Sequence, residues 1–208
     1  MATLEAFLPY VEPHLLGAPL PGLLHEIRQA AVTFCERTRV WKARGTLSIT
    51  AGVAEYAIPG PANSDPVIVE SAFLGDTRLD PVTPDDLKRL WQHWEIQTGP
   101  PQVYTQFTDA QLTLVPTPNT TMTDGLSVQA CFKPSRTAGE VPDLLLNRYA
   151  EAIGHGAIAR VLETRGNPYG DPRLAVYHRE HFERGIHQAL MQAARGFTRA
   201  PLRTRAYF

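Results

Sequence analysis

LLLNRYAEAIGHGAIARVLETRGNPYGDPRLAVYHREHFERGIHQALMQAAR, running from Leu144 to Arg195, decides the fold of this chain. It reads as two long helices broken once. Pro142-Asp143 opens the first, and after GNPYG the pair Asp171-Pro172 supplies an N-cap and a first-turn proline for the second. A break this short leaves the two helices as antiparallel neighbours, a helical hairpin. In the first of them Ala150, Ala152, Gly154, Gly156, Ala157 and Ala159 form a small-residue surface, so another helix can approach closely. Ala152, Gly156 and Ala159 are the expected inter-helix packing positions.

At the other end of the chain, PGLLHEIRQAAVTFCERTRVW (Pro21–Trp41) repeats apolar residues every three to four positions, through Leu20, Leu23, Leu24, Ile27, Ala31, Phe34 and Thr38. That period is one face of an amphipathic helix. Pro21 suits its first turn, and Arg37 and Arg39 complement the dipole at its end. A shorter helix is expected over Leu4 to Leu16, interrupted by Pro9 and Pro13.

Between these helical ends the period changes to two. TLSIT and AEYAI alternate around Ala51-Gly52, VIVESAFL and TRLDPV flank Gly75-Asp76, and QVYTQF and QLTLVP flank Thr108-Asp109-Ala110. Each pair reads as a hairpin. Thr83-Pro84-Asp85-Asp86 starts a short helix carrying Leu87, Leu90, Trp91 and Trp94, and LSVQACFKP adds a last strand with Leu126, Val128, Ala130 and Phe132 on one face. The connections look too short for parallel crossovers, which predicts an antiparallel sheet. Beyond Gly196 the chain reads FTRAPLRTRAYF, with no acid after Glu183 and Pro201 against a helix, so an extended basic tail is expected.

The fold class is therefore α+β. A helical bundle forms from an N-terminal segment (1–44) and a C-terminal hairpin (141–195), an antiparallel β-rich lobe (45–140) is inserted between them, and residues 196–208 form the tail.

Composition agrees. The 208 residues are 43% hydrophobic and 20% charged, which excludes a compositionally disordered protein. A chain this long buries about 70% of its unfolded surface without staples. The net charge of −1 gives no bulk signal for nucleic-acid binding. Cys35 and Cys131 lie far apart with no CxxC, which suits inert thiols in a reducing compartment. No apolar run approaches the roughly 20 residues of a membrane span, and the first residues lack the basic-then-apolar grammar of a cleaved signal, so a soluble, non-exported protein is expected.

Catalytic chemistry is sparse. His178 and His181 lie three residues apart with Glu180 and Glu183 alongside, but HExxH is absent and no second cluster completes a metal site, so a solvated, charged helix face is the reading. His155, between two glycines, reads as a packed or hydrogen-bonded histidine. Asp85 and Asp86 are better explained as capping than, with Glu95, as an acid–base pair. Trp91, Trp94, Tyr104 and Phe107 are expected to bury against the sheet, although they could stack on bases. Neither GxSxG nor a P-loop occurs. No catalytic, cofactor or metal set is expected.

Four stretches in series, WEIQTGPPQVYTQF, LTLVPTPN, CFKPSRTAGEVPD and the helical pair from Leu144, match in order and spacing over roughly residues 65 to 195. In these the chain resembles the head-to-tail adaptor (connector) proteins of tailed bacteriophages and gene-transfer particles. The resemblance implies a structural, non-enzymatic protein whose copies, twelve in number, form a ring below the portal, extend the DNA channel and dock the tail. It implies as partners the portal protein, tail or stopper/nozzle proteins and other copies of the chain. Contact with genomic DNA is transient and non-specific, no membrane is involved, and the place is the portal vertex of the virion after assembly in the host cytoplasm. It also implies that the C-terminal segment reaches the portal, through Arg199, Leu202, Arg203, Arg205, Tyr207 and Phe208. A nucleic-acid-binding module using the aromatic lobe and the Arg tail, and a small hydrolase using His155 or the His178 pair, are the alternatives.

Overall fold

The computed structural model describes residues 1–90, 93–164 and 168–196. In chain order they carry β1 (Ala2–Thr3), two 3-10 segments (Leu4–Tyr10 and Glu12–His14), α1 (Leu20–Thr38), β2 (Lys42–Ile49), β3 (Glu55–Ala57), β4 (Ser64–Leu74), β5 (Thr77–Pro81) and α2 (Pro84–Leu90). Then follow β6 (Thr98–Gly99), β7 (Val103–Thr105), β8 (Gln111–Val115), β9 (Thr117–Pro118), β10 (Met122–Pro134), β11 (Glu140–Val141), α3 (Asp143–Glu163) and α4 (Pro172–Arg195). The chain is α+β. It divides into a helical unit, residues 1–41 with 134–208, and a β unit, residues 42–133.

In the helical unit α1 buries Leu23, Ile27, Ala30, Ala31, Phe34, Cys35 and Thr38, most of the stripe its sequence period calls for, while Leu20 in the first turn stays exposed. The helix stops at Thr38, short of the expected Trp41, because Arg39 turns left-handed (φ 54°) and its N–H donates to the Cys35 carbonyl. Leu4 to Leu16 is not one α-helix but two 3-10 segments. Pro9 and Pro13 have no N–H to give, so an unbroken i→i−4 ladder cannot form there. β1 pairs antiparallel with β11 (Ala2↔Val141, Thr3↔Glu140), a two-residue ladder too short to leave a period in the sequence.

α3 is buried on most of its circumference, because α1, α4 and the first 3-10 segment all pack on it. α4 buries a single stripe, Ala175, His178, Phe182, Ile186 and Ala189. Its start is capped as its sequence demands: the Asp171 carboxylate accepts from the N–H groups of Arg173 (2.9 Å) and Leu174 (3.2 Å).

The β unit is built on a seven-stranded sheet in the order β2-β10-β4-β5-β7-β8-β3, with β6 and β9 as a separate pair. Two of the three expected hairpins form. β4 and β5 pair antiparallel through Leu74↔Thr77, and β7 and β8 through Val103↔Val115. The third does not: β2 and β3 lie at opposite ends of the sheet, where β2 pairs with β10 and β3 with β8. Nor is the sheet wholly antiparallel. β5 and β7 run parallel (Asp80↔Val103), as do β6 and β9 (Thr98↔Thr117), so the sheet is mixed. The segment from Val82 to Gln102, which contains α2, is long enough to serve as a parallel crossover. Leu79, Leu112, Leu114, Leu126 and Phe132 are wholly buried in this unit.

Candidate functional site

Where α3 meets α4, the small residues decide how near the two backbones come. A Cβ on Gly156 would lie 2.8 Å from the Phe182 ring, and one on Gly185 would lie 2.6 Å from the Ala152 Cβ. Real Cβ atoms do not approach that closely, so each glycine is matched to a particular neighbour across the hairpin. Gly154 faces the other way, toward Tyr10 of the first 3-10 segment. Ala159 is buried.

The rim of this packing is charged. Arg37 of α1 makes a two-pronged ion pair with Glu183 of α4, with Nη2 donating to Oε2 at 2.6 Å. The hydrogen bond to Arg37 is the main reason the Glu183 carboxyl sits below its ordinary pKa. Arg160 of α3 reaches Glu26 of α1 (2.9 Å), and Arg179 of α4 reaches Glu163 of α3 (2.9 Å from Nε).

A histidine cluster sits in the same hairpin. His155 of α3 and His178 of α4 share a hydrogen bond between their Nδ1 atoms at 2.7 Å. His14 stands edge-on to His178 with ring centroids 5.0 Å apart, and His181 lies 5.0 Å from His155. His178 is not on a solvated face, as its sequence neighbourhood suggested. It is 1% exposed, and burial together with the neighbouring imidazoles pushes its pKa down to about 4. His155 is lowered chiefly by burial, then by His181. The signal that could have placed His178 inside was present, because it falls on the Ala175, Phe182, Ile186, Ala189 stripe. His14 and Tyr177, which join the cluster, carry no such signal. Among the described residues no three His, Cys, Asp or Glu side chains are arranged to hold a metal ion, and no helix is long and apolar enough to cross a membrane.

In the β unit a cavity of about 590 Å³ opens between β4 and the stretch from Tyr104 to Asp109. Val67, Ile68, Val69 and Val82 make its wall apolar, and the Gln106 side chain accepts from the Val69 N–H at 3.2 Å. Tyr104 is buried, as expected, which raises its phenol pKa, but Phe107 does not bury against the sheet: it stays exposed and stacks on Trp94 at 5.7 Å. Thr83 caps α2 by accepting from the Asp86 N–H, and Asp86 is paired with Arg89. Asp86 is thus engaged in local structure, as its sequence position suggested. Cys35 and Cys131 are both buried, one in each unit. Trp91 and the tail residues Arg199, Leu202, Arg203, Arg205, Tyr207 and Phe208 lie outside the described residues.

The helical hairpin thus carries a glycine-matched seam and a charged rim, and the β unit an open cavity. The family model described as SU10 adaptor protein matches residues 8–205 of the chain, running through both units. None of the curated proteins searched matches the chain.

Proposed function

Because the chain belongs to the SU10 adaptor protein family, a family of phage head-to-tail adaptors, we propose that copies of it assemble as a ring below the portal at the neck of the virion, extend the DNA channel and present the tail with its docking surface. The carrying observation is the extent of the match, residues 8–205, which takes in the helical hairpin and the mixed sheet alike. In this role the chain turns nothing over. Its work is contact.

A ring subunit needs two different complementary faces, one for each neighbour, because heterologous contacts close a ring and isologous ones do not. The helical hairpin suits a rigid element of such a subunit. The close approaches of Gly156 to Phe182 and of Gly185 to Ala152 hold α3 and α4 at one spacing, with Ala159 also buried, so a face built on them keeps its shape when a neighbour binds. The C-terminal residues Arg199, Leu202, Arg203, Arg205, Tyr207 and Phe208 are assigned to the portal. Three cations and three apolar side chains without a nearby acid suit an acidic or strand-edge partner surface. DNA passing through such a ring is not read, since a chain of net charge −1 offers little general attraction for phosphates.

The test is imaging by electron microscopy of the purified chain mixed with the portal protein of its own phage. A ring of this protein on the portal is the expected result, and a chain lacking residues 198–208 should fold yet fail to attach. A full-length chain that leaves the portal bare at saturating concentration overturns the proposal. So does sequence-selective DNA binding at physiological salt, which would favour a nucleic-acid-binding module instead.

A further inference from the structure

The histidine cluster of the helical unit has no task in the adaptor reading, yet it joins three separate parts of the chain. We propose that His14, His155, His178 and His181 form an acid-released latch, which holds the Glu12–His14 turn against the α3–α4 hairpin at neutral pH and frees it in acid.

The geometry carries this. A hydrogen bond between two Nδ1 atoms at 2.7 Å needs one nitrogen to donate and the other to accept, so it survives only while at least one of the two rings is neutral. The Nε2 of His178 is buried and has no hydrogen-bond partner, so whichever tautomer the neutral ring adopts, its cation would carry an N–H there with nothing to accept from it. The surroundings add further imidazoles. From the turn comes His14, at 5.0 Å from His178; from α3 come His155 and Glu151; from α4 come His181 and Tyr177, the latter edge-on to His178 at 5.2 Å. Arg148 of α3 and Arg184 of α4 line the cavity of about 300 Å³ that His155 and His181 share. Glu151 favours protonation of His155, but it is exposed, and burial outweighs it. Burial therefore favours the neutral forms of His155 and His178, and a proton on His155 makes one on His178 harder to add.

The direction with pH follows. In the unfolded chain an imidazole takes its proton near 6.5, whereas folded His178 resists until about 4 and His155 is also lowered. Between those values the unfolded or released form binds more protons than the closed form. The closed form is fully favoured above pH 6.5, loses ground as pH falls, and stops losing below about 4. The closing equilibrium should shift roughly tenfold per pH unit for each histidine held neutral across the window. The 3-10 turn carrying His14 buries none of its own residues and touches the cluster through His14, so it is the element expected to release first.

The test uses the full chain. Imidazole NMR signals are followed from pH 8 to 4 in the folded protein and in urea, and hydrogen exchange of residues 4–16 is measured over the same range after correction for the intrinsic rate. The expected result is that His178 stays neutral well below the pH at which the unfolded chain's histidines protonate, while exchange protection at residues 4–16 falls at least tenfold between pH 7 and 5. In His155→Gln, which keeps a hydrogen-bonding partner but cannot titrate, that pH dependence should weaken, and in His155→Gln/His178→Gln it should vanish. The latch is overturned if folded His178 titrates with the unfolded chain's histidines. It is equally overturned if protection at residues 4–16 is flat with pH in the parent, a measurement that needs no variant to fold.

Discussion

Each unit is organised internally on a different principle. In the helical unit the contacts that matter join long helices whose faces are written in a 3.6 period, and a few glycines set how closely those faces meet, Gly156 under Phe182 and Gly185 against Ala152, while Gly154 seats Tyr10 of the first 3-10 segment. In the β unit each strand's face is equally plain, but its partner is not, since β2 seeks β10 from the far end of the segment and β5 runs parallel to β7. A period of two says which side of a strand is buried and nothing about what lies beside it. The difference teaches that a helical stripe nearly specifies its packing when few helices compete, whereas a strand leaves its pairing to be settled by distant residues.

The largest expected effect probes the less legible unit. Leu114 in β8 is wholly buried, its N–H donates to the Ala54 carbonyl, and its strand lies between β7 and β3. Leu114→Ala should cost about 2 to 5 kcal/mol in chemical denaturation, with hydrogen-exchange protection lost first in β3 and β7. A cost below about 1 kcal/mol would mean that the mixed sheet is not organised around this core. Next comes the seam of the helical unit. Gly156→Leu should destabilise by about 1 to 3 kcal/mol, because the added side chain has to displace the Phe182 ring. Phe182→Ala in the same chain should return part of that loss, and strict additivity of the two changes would show that they do not meet.

How far the sequence carried each unit can be argued from single residues. Asp171-Pro172 announces the start of α4 by its own chemistry, and the stripe behind it names the buried face. The one misreading there, His178, came from weighing residue type over position: among HREHFE a histidine looks wet, yet its place in the period is the buried one. In the β unit Ala51-Gly52 looks like a hairpin turn, and a turn does form, with Gly52 at φ 81°. But the Tyr56 hydroxyl folds back over it, its one proton shared between the Thr50 and Val53 carbonyls and its oxygen accepting from the Thr50 N–H, so the chain leaves the turn without zipping. Meanwhile β10 offers β2 a longer ladder, Leu126↔Leu47 to Cys131↔Lys42. That competition is decided by residues some eighty positions away. The histidine cluster was half visible: His155 and the His178–His181 pair stand out by type, while His14 arrives through the path of a proline-rich turn that no period describes.

A smaller effect tests whether local chemistry also serves the β unit. Thr83 caps α2 reciprocally, its Oγ1 accepting from the Asp86 N–H at 3.1 Å while its hydroxyl donates to the Asp86 carboxylate at 2.9 Å. Thr83→Ala should cost about 0.5 to 2 kcal/mol and raise exchange in α2, the helix inside the crossover between β5 and β7. Thr83→Ser should restore most of it. If alanine is tolerated without change, α2 is held by the burial of Leu87 and the cap is incidental.

The smallest effect separates packing from charge within the helical unit. The Arg37–Glu183 pair is well formed, but its side chains are 43% and 36% exposed, so water and salt already screen it. Arg37→Met and Glu183→Gln should each cost about 0.2 to 1 kcal/mol, with a coupling in the double variant that shrinks in high salt. The pH window distinguishes this pair from the histidines. Glu183 has a depressed folded pKa, so the pair's contribution is present above the ordinary carboxylate value near 4.5 and is lost as pH falls through the folded value. The histidine contribution instead begins to fall near 6.5, because those groups resist gaining a proton rather than losing one. Thermal melts on the way down in pH should therefore show the histidine slope first, unchanged by Glu183→Gln. The carboxylate slope should follow below about pH 4.5, and that variant should remove its own share of it. If Glu183→Gln flattened the upper slope as well, the rim and the buried cluster would be one coupled network, and the seam between α3 and α4 would owe its rigidity to charge as much as to the matched glycines.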